Sequence, residues 1–142
     1  MNHPESILQR QAAWLCREAG LCFTHPANER KCSPQAGRRL KEAGQAAGVP
    51  DLLIFSKSTA WIPITNITDP EFPTTRWTEN NYRGLAIELK SSTGRLTDAQ
   101  KDFGCRLSDC GWKVVLCRTL PEVLETLRFY WPDNEFLKSV IL

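Results

Sequence analysis

Two carboxylates and one ammonium stand where charge is usually avoided. Asp51 opens the short apolar run at residues 51–55 (DLLIF), and Glu88 and Lys90 close the run at 84–90 (GLAIELK). Both runs are bounded by turn residues, the pattern of a buried strand. An unpaired ion is costly in such a place. Residues two apart on a strand share a face, so Glu88 and Lys90 project together and Leu89 points the other way. Paired carboxylates hold a hard divalent cation, and an ammonium beside them stabilises or orients an anion. A lone Glu-x-Lys is an ordinary pair of surface charges. The chemistry therefore requires the two strands to lie side by side, with Asp51 close to Glu88.

The elements that must achieve this are legible from periodicity. Ile7, Leu8, Ala12, Leu15 and Cys16 recur at helical spacing, which predicts a helix over 5–19 stopped by Gly20. An apolar run at 21–23 and a polar segment follow. A second helix is expected over 34–47, ending at Gly48. Trp61-Ile62-Pro63-Ile64 reads as an edge strand, since proline is excluded from a central ladder. Residues 67–83, polar and broken by prolines, read as a long loop. Thr97 caps a helix running to Cys110, residues 112–117 (WKVVLC) form a third strand, and a helix follows over 120–130 with Pro121 in its first turn. A short apolar helix closes the chain. The order strand, helix, strand in the later half fits a parallel pair with a helical crossover, and the class is α/β.

Composition sets the outer bounds. The 142 residues suit one domain spanning 1–142, and 42% hydrophobic with 24% charged content is globular. Net charge is only +2, from 18 basic and 16 acidic residues, so no strong nucleic-acid signature comes from the total. The one basic run is Arg38-Arg39-Leu40-Lys41. No export signal and no apolar run long enough for a membrane span appear, so a soluble, cytoplasmic protein with reduced thiols is expected. Cys105, Cys110 and Cys117 read as small apolar fillers of a helix and a strand. Cys16, Cys22, His25 and Cys32 lie close in sequence, but their spacing matches no compact zinc pattern, and buried thiols are the expectation.

The combination resembles the VRR-NUC family, a branch of the PD-(D/E)XK nucleases. The resemblance is carried by residues 48–54 (GVPDLLI), 84–90 (GLAIELK), Gly94-Arg95-Leu96-Thr97 and Gln100. Phe103, Gly111 and the run ending at Arg118 extend it, as do His25, Asn28 and Glu29 upstream, with Arg38, Arg39, Leu40 and Gly44 after them. It covers roughly residues 5–127. The 37 positions from Asp51 to Glu88 exceed the family's usual connection, so the 67–83 segment looks like an insertion.

The resemblance implies a restriction-endonuclease-like fold, a central mixed β-sheet flanked by helices. It implies a deoxyribonuclease that uses Mg2+ or Mn2+. Asp51 and Glu88 match the metal carboxylates, helped by the Leu89 backbone carbonyl. Lys90 matches the catalytic lysine, and Gln100 the helix glutamine near the site. Glu5 stands where the superfamily often places a further metal-binding acid, although a carboxylate in a helix's first turn also suits the helix dipole. Arg38, Arg39, Arg95 and Lys101 are candidate DNA contacts. His25, Asn28 and Glu29 match a recurrent segment without an assigned role. Stand-alone members are associated with phages and bacteria and with junction resolution, which implies branched DNA, above all the four-way (Holliday) junction, and a homodimer. The apolar segment 136–142 is a candidate interface, with packing on its own core as the alternative. A sequence-specific restriction-type enzyme and a catalytically silent nucleic-acid-binding module on the same fold are the competing readings.

Overall fold

Leu8, Ala12, Leu15 and Cys16 form one stripe of helix α1 (Pro4–Glu18), and all four are buried. Their partners come from helix α4 (Leu120–Tyr130), where Val123, Leu124, Leu127 and Tyr130 make the matching stripe. Thr119 caps α4 by accepting from the Glu122 amide, and Pro121 occupies the first turn, where its missing N–H is harmless. The two helices pack on each other and on one face of a sheet. The computed structural model describes residues 4–26, 33–66, 74–79 and 81–142.

That sheet has four strands, β1 (Phe23–Thr24), β2 (Leu52–Ile54), β5 (Leu85–Leu89) and β6 (Lys113–Cys117), in the order β1-β2-β5-β6. The β1–β2 and β2–β5 pairs are antiparallel and β5–β6 is parallel, so the sheet is mixed. Helix α3 (Asp98–Asp109) makes the crossover from β5 to β6, as the strand-helix-strand order requires. Leu85, Ile87 and Leu89 join Leu52, Ile54 and Cys117 in the core with α1 and α4. Alternation turns Ala86 and Glu88 to the opposite face, with their β6 partners Val114 and Leu116. Helix α3 lies on that second face and packs on β6. A mixed sheet with helices on both faces is the expected α/β class. Among the described residues no helix is long and apolar enough to cross a membrane.

Three expectations are corrected. Residues 74–79, read as loop, form strand β4 (Thr74–Glu79), which pairs antiparallel with β3 (Trp61–Asn66) in a separate two-stranded sheet. Its polar residues and the prolines just before it concealed this strand. Pro63 in β3 pairs with Trp77 and is tolerated because both strands of a two-stranded sheet are edges. The remainder of the supposed loop at 67–73 and 80 lies outside the described residues. Helix α2 (Pro34–Glu42) is shorter than expected. It stops because Gly44 takes a φ of 94°, and the Gly44 and Gln45 amides close back on Lys41 and Leu40.

The cysteines divide differently from the expectation. Cys16 and Cys117 are buried, whereas Cys22, Cys105 and Cys110 are exposed. Helix α3 buries no residue at all, so its thiols have no core to fill. Cys32 lies outside the described residues, and among those described no three His, Cys, Asp or Glu side chains form a metal-binding group. The C-terminal segment mostly serves its own domain. Leu137 of helix α5 (Glu135–Ser139) is fully buried, and Phe136 and Val140 pack on the core. Asn134 caps α5 and donates to the Ala19 carbonyl at 2.9 Å, tying it to the end of α1. Ile141 and Leu142 are exposed.

Candidate active site

The antiparallel register sets Leu52 against Ile87, so the next position outward sets Asp51 against Glu88. Backbone pairing ends there, and a side chain continues it. The Leu89 amide donates to Asp51 Oδ2 at 2.7 Å. One carboxylate oxygen of Asp51 is thereby fixed at the end of β5, beside the face that carries Glu88.

Glu88 is 4% exposed, the buried charged residue among those described. It is sustained by two donors. Lys90 Nζ lies 2.9 Å from Glu88 Oε1, as expected for side chains sharing a strand face. Gln100 Nε2 donates to the same oxygen at 2.5 Å. Burial pulls the Lys90 pKa down, but the Glu88 hydrogen bond and the charges of Glu88, Glu5 and Asp51 outweigh it and leave the pKa raised. Lys90 is therefore a cation throughout the neutral range.

Gln100 reaches Glu88 because it is the third residue of a capped helix. Thr97 accepts from the Gln100 amide and Gln100 Oε1 accepts from the Thr97 amide, a complete capping box. The carbonyl end of the side chain closes the helix, and its amide end is left for the carboxylate. Gly48 allows α3 to sit so close. Its φ is 78°, and a Cβ there would stand 2.1 Å from the Ala99 carbonyl oxygen.

Glu5 is brought to the same end of the sheet. Its Oε1 accepts from the Ser91 amide at 3.0 Å, just beyond Lys90. Arg118 grips the same turn from the far side, donating to the Ser91 and Gly94 carbonyls at 2.6 and 2.8 Å. Gly94 fits between them, since a Cβ there would lie 3.3 Å from Glu5 Oε1. Asp51, Glu88, Lys90, Gln100, Glu5 and the Leu89 amide thus gather around one strand end.

The proposed DNA contacts are less closely bound to the site. Lys101 follows Gln100 on α3 and lines an open groove of about 460 Å³ with Glu88, Gln100, Leu96 and Leu116. Arg95 is exposed just after the 91–94 turn. Arg38 and Arg39 are exposed on α2, a helix that buries nothing, and no described contact joins them to Glu88.

Sequence reasoning left His25 without a role and passed over Gln9. His25 Nδ1 lies 2.6 Å from the Asp51 carbonyl oxygen. A carbonyl only accepts, so Nδ1 carries the proton. Gln9 Nε2 lies 2.7 Å from His25 Nε2 and 2.5 Å from Nδ1; because the Nδ1 proton is committed to Asp51, Nε2 is the acceptor. The nearby histidine in a conspicuous segment was the available signal. The partner Gln9, an ordinary polar helix residue, gave none. Asn28 and Glu29 lie outside the described residues.

The donor set suits a hard divalent ion. Magnesium is commonly held by one or two carboxylates with waters completing its shell, and manganese accepts the same oxygen ligands. Asp51, Glu88 and the Leu89 carbonyl supply that number without a three-carboxylate cage.

A search of curated proteins finds no match. A solved structure described as a VRR_NUC domain protein superimposes with a TM-score of 0.59 at 23% identity, covering 92% of this chain and 89% of its own. The model of the VRR-NUC domain matches residues 3–120, which include every site residue named above. The chain belongs to the VRR-NUC family of nuclease domains.

Proposed function

We propose that this protein is a Mg2+- or Mn2+-dependent DNA endonuclease with a restriction-endonuclease-like site, acting as a homodimer on branched DNA and above all on four-way junctions. The observation that carries the catalytic part is the buried Glu88 carboxylate, held by Lys90 at 2.9 Å on the strand end where Asp51 accepts from Leu89. Asp51, Glu88 and the Leu89 carbonyl would hold the cation. When bound, it supplies an acidified water and neutralises charge that develops on the phosphate.

The protein's own groups do the rest. Lys90 keeps its proton, so it acts as a point charge toward a phosphate oxygen or the attacking water and not as the base. Gln100 holds Glu88 in one rotamer through its amide. Glu5 and Arg118 fix the turn after Lys90 and so limit where its ammonium can reach. The preference for junctions rests on the family resemblance and on symmetry. A four-way junction has an approximate two-fold axis, and a two-fold dimer sets two identical sites on opposed strands.

The test is a panel of labelled linear duplex, flap, single-strand and four-way-junction DNAs incubated with protein and Mn2+, with sedimentation reporting mass. Paired nicks in the junction by a dimer are expected. A monomer that cuts flaps and spares junctions overturns the substrate reading alone. A defined cut pattern on linear duplex points to the restriction-type reading. DNA retained uncut with metal present overturns the nuclease reading.

A further inference from the structure

Strand β1 has two residues, and its pairing with β2 ends at Thr24 opposite Leu53. The next backbone groups outward have no ladder to join. His25 takes over with its side chain, its Nδ1 2.6 Å from the carbonyl oxygen of Asp51. The ring is held in turn from α1, where the Gln9 amide nitrogen lies 2.7 Å from Nε2 and 2.5 Å from Nδ1. Asp51 is therefore gripped on two sides. Its carboxylate is held by Leu89 of β5, and its carbonyl is held by His25 beyond β1. The carbonyl and the side chain share one Cα, so a bond that anchors the carbonyl limits how far that Cα, and the carboxylate it carries, can shift from the end of β5.

We infer that His25 is a positioning residue, whose N–H on the Asp51 carbonyl, oriented by Gln9, holds the Asp51 carboxylate in place to receive a divalent cation. The inference rests on the reading that Asp51 ligates that cation. It gives a task to a histidine that supports a carboxylate of the site through its backbone carbonyl. Hydrogen-bonded partners behind a metal ligand typically change metal affinity or activity by 10–100-fold when removed. His25 is exposed, so the lower end of that range is expected.

The measurement is calorimetric titration of the full chain with Mn2+ in the absence of DNA, alongside cleavage at varied Mn2+. His25→Ala should bind Mn2+ about tenfold more weakly. Its lost turnover should return at high Mn2+, with the KM for DNA unchanged. His25→Asn places an amide N–H near the position of Nδ1 and should restore most of the affinity. Gln9→Ala should fall between. Wild-type affinity in His25→Ala overturns the inference. So does equal weakening in His25→Ala and His25→Asn, which would make the ring itself a ligand. If His25→Ala fails to fold, the other two variants decide: a weakened Gln9→Ala beside a near-normal His25→Asn supports the inference, and unchanged affinity in both overturns it. A wild-type chain that takes up no Mn2+ overturns the metal reading itself, and the role of His25 with it.

Discussion

The two faces of β5 are built for different ends. Leu85, Ile87 and Leu89 look into a closed apolar core, where Leu15, Val123, Leu127 and Leu137 are all fully buried. Ala86 and Glu88 face the side of α3, a helix that buries nothing, and Glu88 borders an open groove lined also by Leu116 at 38% exposure. One face contributes stability through buried area and tight packing. The other gives up packing so that a buried carboxylate, an ammonium and a cavity can stand together. Adjacent residues of a single strand thus belong to separate physical economies, and substitutions on the two faces should fail in separate ways.

The sharpest way to break that comparison is to strike both faces. Lys90→Ala should lower cleavage by about a thousandfold, the scale of removing one preorganised electrostatic group. Leu127→Ala should destabilise the fold by about 3 kcal/mol through a core cavity, yet retain near-normal cleavage per folded molecule. Denaturant titration and single-turnover cleavage, measured on both variants, decide. Loss of turnover in folded Leu127→Ala, or normal turnover in Lys90→Ala, would end the division of labour.

The same division explains what could be read from sequence. The core face was legible because burial imposes period: the α1 stripe, the β5 run and the parallel β5–β6 pair all follow from apolar spacing. Asp51, Glu88 and Lys90 were legible as exceptions to that spacing. Gln100 was visible through the family resemblance, but its two-ended use, cap and carboxylate, needed coordinates. His25 and Arg118 act on backbone carbonyls, and carbonyls carry no sequence signal. Strand β4 was missed for a related reason. It belongs to a two-stranded sheet separate from the main one, and its polar sequence, TTRWTE, carries no apolar alternation to mark it.

Gln100 tests how the open face is held in register. Gln100→Glu keeps a residue that serves well in a capping box, but removes the amide donor to Glu88 and sets a second carboxylate beside it. Cleavage should fall about tenfold. Gln100→Ala loses both functions and should also destabilise α3 by about 1 kcal/mol. Thermal melts and cleavage rates separate the two effects. Wild-type cleavage by Gln100→Glu would show that the contact with Glu88 is dispensable.

The smallest expected effect lies on the closed face and is read by pH. Burial raises the Cys16 thiol from 9.0 to about 12, and burial with the nearby Tyr82 raises Tyr130 from 10.0 to about 12. In both cases the folded state binds its proton more tightly than the unfolded chain does. The associated stability is therefore full below the unfolded pKa and is lost as pH rises toward the folded value. Cys16 shares the lower starting point with the buried Cys117, whose thiol burial also raises from 9.0, so the loss begins near pH 9, and the Cys16 part should amount to roughly 1 kcal/mol by pH 9.5. Lys90 contributes with the same sign only above its ordinary value of 10.5, so it does not shape this first decline. Urea midpoints taken between pH 7 and pH 10 should fall from pH 9 upward, and Cys16→Ala should flatten that limb while lowering the whole curve. An unchanged limb in a chain carrying both Cys16→Ala and Cys117→Ala would move the alkaline weakness off the core thiols, and with it the view that the closed face is the one that cannot tolerate charge.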